Sequence, residues 1–404
     1  MTPTGRMGWG TSLSLLLSSW LLHGHVAAAA DVSACKIPAV QSTYLSPGFG
    51  YQGDCVPSTG TLKAFMIFVD FPDAHATEAS PQEVHDFFLP GAADWYATSS
   101  QGALTLNVTA DTARFVRMPA ASTSYGWSRG LTAETHYKYI QDAVDAYLGT
   151  SATARIPADN EVLYIAPTRN ARAITFSPTY MSAVASRTHG QQRVARKAVT
   201  FGFDAYETWG FKTLNHETGH TMCLADYYPF EAGRDNGYYV GGWSLMGVIS
   251  GAAPDWFAWD KWRLGWLPDA AVECVDQASG STSTTHVLSP LSARQGVRAV
   301  VVARRGHKEA LVAEMRTKAG LDDRLCAAPG VLLYTVDAAK ATGEGQLAVL
   351  HVNPGAAGCG DGELDDATLS LTGRVRAYSV PGWGVTVTVT AQTDDSATIR
   401  VDVS

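Results

Sequence analysis

The stretch HETGHTMCLADYY, residues 216–228, carries two histidines four apart with a glutamate beside the first. On a helix, side chains four apart stand one turn above each other on the same face. His216 and His220 can therefore present two imidazoles to one ion, with Glu217 next to them. Zinc accepts imidazole nitrogen and carboxylate oxygen as ligands and, in catalytic sites, keeps one position open for water. Such a metal brings the pKa of its water close to 7, and a neighbouring carboxylate can take the proton. Glu217 is the candidate base, and it would later return the proton to a leaving amine. A surface helix that merely contains two histidines is the plain alternative. Asp226, six residues beyond His220, is the candidate third ligand. Glu231 is too close and falls in a loop, and the next glutamate is Glu273.

This spacing follows the His-Glu-x-x-His-x-x-Gly-x-x-His/Asp pattern of metzincins, in which the helix ends at the glycine and the chain turns back to the metal. Here the glycine position holds Cys223. A non-glycine residue held at positive φ costs about 1 kcal/mol, so a strained or reshaped turn is expected. A disulfide from Cys223 to Cys274 is the expected brace, and ligation of the metal by Cys223 is the rival reading. Farther on, GGWSLMG places Met246 in a glycine-flanked turn, where metzincins have a methionine under the zinc; ordinary core packing is the alternative. Val248 stands where some metzincins carry a tyrosine, two residues after that methionine. Tyr227, Tyr228, Tyr238 and Tyr239 remain as candidates to polarise an oxyanion, with packing as the alternative for each. Trp256, Trp259, Trp262 and Trp266 recur at spacings of three, three and four, as one buried face of a helix would. A carbohydrate or choline platform is the alternative.

The chain has 404 residues, long enough for two or three domains, with 46% hydrophobic and 17% charged residues. Its net charge of −8, with scattered Lys and Arg, excludes a general nucleic-acid binder and a polybasic membrane patch. Residues 1–30 have the layout of a secretory signal peptide: Arg6, the apolar WGTSLSLLLSSWLL, then small residues for cleavage near Ala28 or Ala30. A membrane anchor is the alternative, for which the run is short. All six cysteines follow that region, and in an oxidising compartment they suggest up to three disulfides. Closeness in sequence pairs Cys35 with Cys55 and Cys326 with Cys359, leaving Cys223 for Cys274. Asn107-Val108-Thr109 is a glycosylation sequon compatible with secretion.

Residues 31–60 are rich in Pro, Gly, Ser and Tyr and read as an irregular lead-in or short pro-segment. LKAFMIFVDFPD predicts a buried strand, and Pro81 with Glu83 opens a helix through Phe87 and Phe88 toward Trp95. GALTLNVTA, ARFVRM and EVLYIAP predict strands, residues 131–148 a helix, and KAVTFGFDA precedes the helix that carries the quoted motif. Residues 167–196 read as loops with a hairpin. After about residue 285 come VRAVVVA, EALVAEM, GVLLYTV, QLAVLHV, GVTVTVT and ATIRVDV, short strands between turns. The expected fold is therefore α+β: a layered catalytic domain over residues 61–285, of metzincin-like type, followed by an all-β sandwich over 286–404.

In the order IFVDFPD, WYATSSQGALTLNV, HETGHTMCLADYY, GGWSLMG and FAWDKWRLGWL, then AEMRTKAGLDDRL and GVLLYTVD, the chain resembles the secreted metallopeptidases related to immune inhibitor A. The likeness covers most of residues 60–404. It implies a secreted zinc endopeptidase acting on proteins or peptides, with one catalytic zinc held by His216, His220 and Asp226. Glu217 is then the general base and Met246 the turn methionine. Family members often bind structural calcium, for which acidic positions such as Asp70 and Asp73 are candidates. A monomer without nucleic-acid or stable membrane partners is expected. The alternatives are a binding or adhesive protein on a degenerate protease scaffold and a zinc hydrolase of non-peptide amides or esters.

Overall fold

The computed structural model describes Met1, residues 31–356 and residues 363–404, apart from 189 and 253. The expected signal peptide thus lies outside the described residues. Among the described residues, no helix is long and apolar enough to cross a membrane. The chain is a mixed α/β structure with several sheets and few helices.

The first half is built on β1 (Gly60–Asp70), the apolar run predicted as a buried strand. Leu62, Ala64, Met66 and Phe68 enter one core cluster, and Phe65, Ile67 and Val69 enter another on the opposite face. A strand covered on both faces needs such an unbroken apolar run. Helix α1 (Pro81–Phe88) ends before Pro90, and α2 (Gly91–Ser99) follows, so the helix expected to run toward Trp95 is two. Proline lacks the N–H and crowds the preceding turn, which ends a helix there. β2 (Leu104–Ala110) and β3 (Val116–Arg117) pair in parallel with one edge of β1, and β4 (Val162–Pro167) with the other. Between them lies α3 (Ala133–Leu148), capped by Thr132 and packed on the second face through Tyr139, Ile140, Ala143 and Val144.

The loop region contains β5 (Thr179–Tyr180) and the hairpin of β6 (Val184–Ala185) with β7 (Arg193–Ala195). β8 (Lys197–Thr200) pairs in parallel with β4, and β5 adds antiparallel to β8, giving the order β2-β1-β4-β8-β5. Helix α4 (Phe211–Thr221) carries the quoted motif and packs with α2 on the first face. Of the tryptophan-rich segment only α5 (Ala258–Arg263) is helical, and all four tryptophans are buried, which leaves no exposed ring platform.

The rest is two stacked sheets. β9 (Val272–Asp276), β11 (Ala299–Ala303), β12 (Glu309–Arg316), β13 (Gly330–Asp337), β14 (Leu347–Val349) and β15 (Thr368–Leu369) form one. β10 (Thr282–Leu288), β16 (Ala377–Val380), β17 (Val385–Gln392) and β18 (Ala397–Val403) form the other. Val300, Val302, Leu311 and Leu333 meet Val385, Val387, Ile399 and Val401 in the core between them. The other face of the first sheet, with Val301, Val312, Leu332 and Tyr334, joins the core that holds α2 and α4. The sheets therefore begin earlier than residue 286, because the strand β9 and the Thr-rich β10 are drawn into them.

The expected disulfides are corrected. Cys35 bonds Cys274 and Cys55 bonds Cys223, so neither Cys35–Cys55 nor Cys223–Cys274 forms. The lead-in runs as a strap across the molecule, and this separates its two cysteines. Cys35 reaches β9 at one end; at the other, the Val56 N–H caps the Thr221 carbonyl at the exit of α4 (2.9 Å). Cys326 is disulfide-bonded, while Cys359 lies outside the described residues. With its only two cysteines bonded across to distant segments, the strap is an integral wall, and a single cut near residue 60 would not release it.

Candidate functional site

Helix α4 is buried from Thr213 to Thr221, so its polar side chains must find partners inside the protein. Tyr164 shares a hydrogen bond with Thr218 (2.7 Å), and Tyr96 donates to the Asn215 carbonyl (2.7 Å). Gly219 gives the helix a bare patch: a Cβ there would stand 2.8 Å from Met246 Sδ and 3.0 Å from Trp256. Met246 thus packs against the helix at Gly219, between the two histidines in sequence, fully buried.

The helix ends in a complete Schellman closure. The Leu224 N–H donates to the Gly219 carbonyl (3.1 Å) and the Cys223 N–H to His220 (2.8 Å). Cys223 occupies the left-handed position at φ 63°, the place of the expected glycine, and its disulfide to Cys55 braces it. That bond also removes it as a metal ligand. Beyond this turn the chain returns over the helix. The Asp226 N–H donates to Thr342 Oγ1 (3.0 Å) and the Gly343 N–H to the Asp226 carbonyl (3.1 Å), so a loop after β13 holds the returning segment.

As a result His216 Nε2, His220 Nε2 and Asp226 Oδ1 converge. The imidazole nitrogens are 3.2 Å apart, and Asp226 Oδ1 lies 3.1 Å from His216 and 3.2 Å from His220. Ligands of tetrahedral zinc at about 2.0–2.1 Å stand about 3.3–3.4 Å from one another, so this triangle fits that ion with little adjustment. The opposite ring nitrogens face the carbonyls of Leu245 (2.8 Å) and Leu224 (2.9 Å). These acceptors hold the proton on Nδ1 and leave Nε2 free to ligate. Glu217 also brings a carboxylate oxygen within 4.8 Å of both imidazoles, but Asp226 stands closer. Glu217 is instead held from behind by the Thr179 hydroxyl (2.7 Å) on the edge strand β5.

Burial raises the Glu217 pKa, against the opposing influence of the two histidines. Burial works against charge on His220, yet the adjoining Asp226 carboxylate outweighs it and lifts the imidazolium to about 9. For Asp226 burial is likewise outweighed, by His220 above all, and the carboxyl falls well below its usual range. A cation entering the triangle displaces the His220 proton.

Two hollows flank the centre and share Glu217 and Tyr228. One, of about 250 Å³, is bordered by His220, Asp226, Tyr44, Leu45, Phe176, Met181 and Phe230. The other, of about 420 Å³, is bordered by His216, Arg129, Asp204, Asn236 and Val248. Of the four candidate tyrosines, only Tyr228 lines either hollow. Burial and the Asp226 and Glu217 carboxylates raise its phenol, so it stays a hydrogen-bond donor. Tyr227 is buried and donates to Asp260 (2.7 Å), Tyr238 packs on Arg234, and the Tyr239 ring lies against Gly345. Glu231 pairs with Arg234, and Glu273 with His286, away from the metal triangle.

The two calcium candidates already have protein partners. Asp70 takes two bonds from Arg117 (2.6 and 2.8 Å), and Asp73 accepts from Ser122 and Thr123. Thr179, Thr342 and the carbonyls of Leu224 and Leu245 were not legible as site residues, since no motif marks them. No model of a known protein family matches the chain, and no curated protein matches it.

Proposed function

We propose that the protein is a secreted zinc-dependent endopeptidase of metzincin type, akin to the immune inhibitor A peptidases, acting as a monomer on proteins or peptides. The observation that carries this reading is the convergence of His216, His220 and Asp226 with Glu217 at their side. His216, His220 and Asp226 would hold the ion, and zinc, when bound, acidifies its water and polarises the scissile carbonyl. Glu217 takes the proton of the attacking water, with Thr179 fixing its carboxylate, and passes it to the leaving amine. Tyr228, which borders both hollows, is the candidate hydrogen-bond donor to the oxyanion. Met246, buried against Gly219, fills the space beside the helix that carries the histidines. The described disulfides accord with an oxidising, extracellular setting.

A Glu217→Gln variant tests this directly. It should retain one zinc per chain and lose peptide hydrolysis by a factor of about 10²–10⁴ or more, the contribution typical of a positioned base. Wild-type protein should lose activity to a chelator and regain it with zinc. Unimpaired proteolysis by Glu217→Gln, or a wild type without zinc, would sink the reading.

A further inference from the structure

We propose that Tyr44 and Leu45 of the N-terminal strap form, with Phe230, an apolar subsite that takes one large apolar side chain of the substrate peptide. This rests on the peptidase reading and adds its substrate class. The hollow beside His220 and Asp226 has walls of Tyr44, Leu45, Phe176, Met181 and Phe230. At about 250 Å³ it is below the usual small-molecule range of about 300–1,000 Å³, a size that suits one side chain.

The mouth of this hollow is apolar surface left in water. Tyr44 is 52% exposed and Phe230 56%. Among the described residues the other exposed large apolar side chains, Met1 aside, are Tyr238, Val287 and Leu371, so two of these five frame one opening. Clustered exposed apolar side chains mark binding sites more often than scattered ones do.

The wall is also built to stay put. Leu45 holds φ 53°, a left-handed conformation that L-residues avoid, and buried strain of this kind persists where the surroundings impose it. Here the Leu45 carbonyl accepts from Gln346 (2.9 Å), Ser46 donates to the Ala338 carbonyl (2.7 Å), and the Pro47 carbonyl accepts from Trp259 (2.8 Å). Both ends of the strap are disulfide-anchored. Phe230 is seated against Gly343, where a Cβ would meet its ring at 2.3–2.6 Å. Across the centre the other hollow offers Arg129, Asp204 and Asn236. A peptide lying through both would be read by apolar contact on one side and by polar groups on the other.

The test measures binding of the blocked peptides Ac-Ala-Ala-Xaa-Ala-Ala-NH2, with Xaa as Phe, Leu, Ala or Asp, to zinc-loaded Glu217→Gln protein. The Phe and Leu peptides should bind about tenfold or more tightly than the Ala peptide, as burial of a large apolar side chain predicts. Adding Tyr44→Ala or Phe230→Ala should shrink that preference about threefold or more while zinc content and thermal unfolding stay unchanged. Equal binding of the Phe and Ala peptides, or a preference untouched by both variants, overturns the subsite. Hydrolysis by the wild type is scored apart: selective binding without any cleavage would refute the peptidase reading and leave the subsite standing.

Discussion

At the scale of the residue, Cys223 shows how a helix exit accommodates a non-glycine residue in a left-handed conformation. The left-handed turn is set by the helix closure and the return of Asp226, and the side chain is accommodated by bonding Cys55. Removing a native disulfide typically costs about 2–5 kcal/mol. Cys223→Ala and Cys223→Gly both delete the bond, but only glycine is at ease at φ 63°. Cys223→Gly should therefore be the more stable of the two by about 1 kcal/mol in chemical denaturation, both lying below wild type. Equal midpoints would show that the turn is not strained. The pairing of His216 with His220 was legible at this scale because helix periodicity places them on one face. Thr179 was not, since it acts from a separate strand.

At the scale of the element, α3 is fastened to the sheet by a buried imidazole. His136 lies between Trp127 and Tyr180 and is hydrogen-bonded to Thr200 on β8 (2.8 Å). Burial lowers its pKa from 6.5 to about 4. Since the folded group resists a proton that the unfolded chain accepts, its stabilisation is complete above about 6.5 and drains away as the pH falls toward 4. The shift corresponds to about 3 kcal/mol across that window. His136→Gln should flatten the acid limb of the stability curve between those limits, and an unchanged limb would refute the assignment. The element types were read well where the period was long, as in β1 and α3. Residues 81–99 divide into α1 and α2 because one proline outweighs the surrounding helix formers.

At the scale of the molecule, a buried ionic cluster joins the two halves. Arg316, fully buried on β12, bonds Glu314 (2.8 Å) and Asp322 (2.7 Å) and donates to the Trp243 carbonyl beside the methionine turn (3.2 Å). Glu314 accepts from the Ala258 N–H at the start of α5 (2.7 Å) and from Tyr334 (2.9 Å). Taking away the cation leaves two buried carboxylates uncompensated. Arg316→Met should cost about 3–5 kcal/mol in equilibrium unfolding, whereas Lys36→Ala, at the half-exposed pair with Asp269, should cost under about 1 kcal/mol. Comparable losses from the two variants would show that the cluster does not hold the halves together.

What the sequence by itself determined is the helix that sets His216 beside His220, the carboxylate six residues farther on, and the succession of strands. Each follows from a short period or a short loop, which local geometry enforces. Only the tertiary structure decided which cysteines pair, at separations of 239 and 168 residues, and that the lead-in forms a wall of the cleft. The same holds for Thr179, 38 residues from Glu217, and Thr342, 116 residues from Asp226. Such partners are chosen by the path of the whole chain through a shared core, which no local propensity encodes.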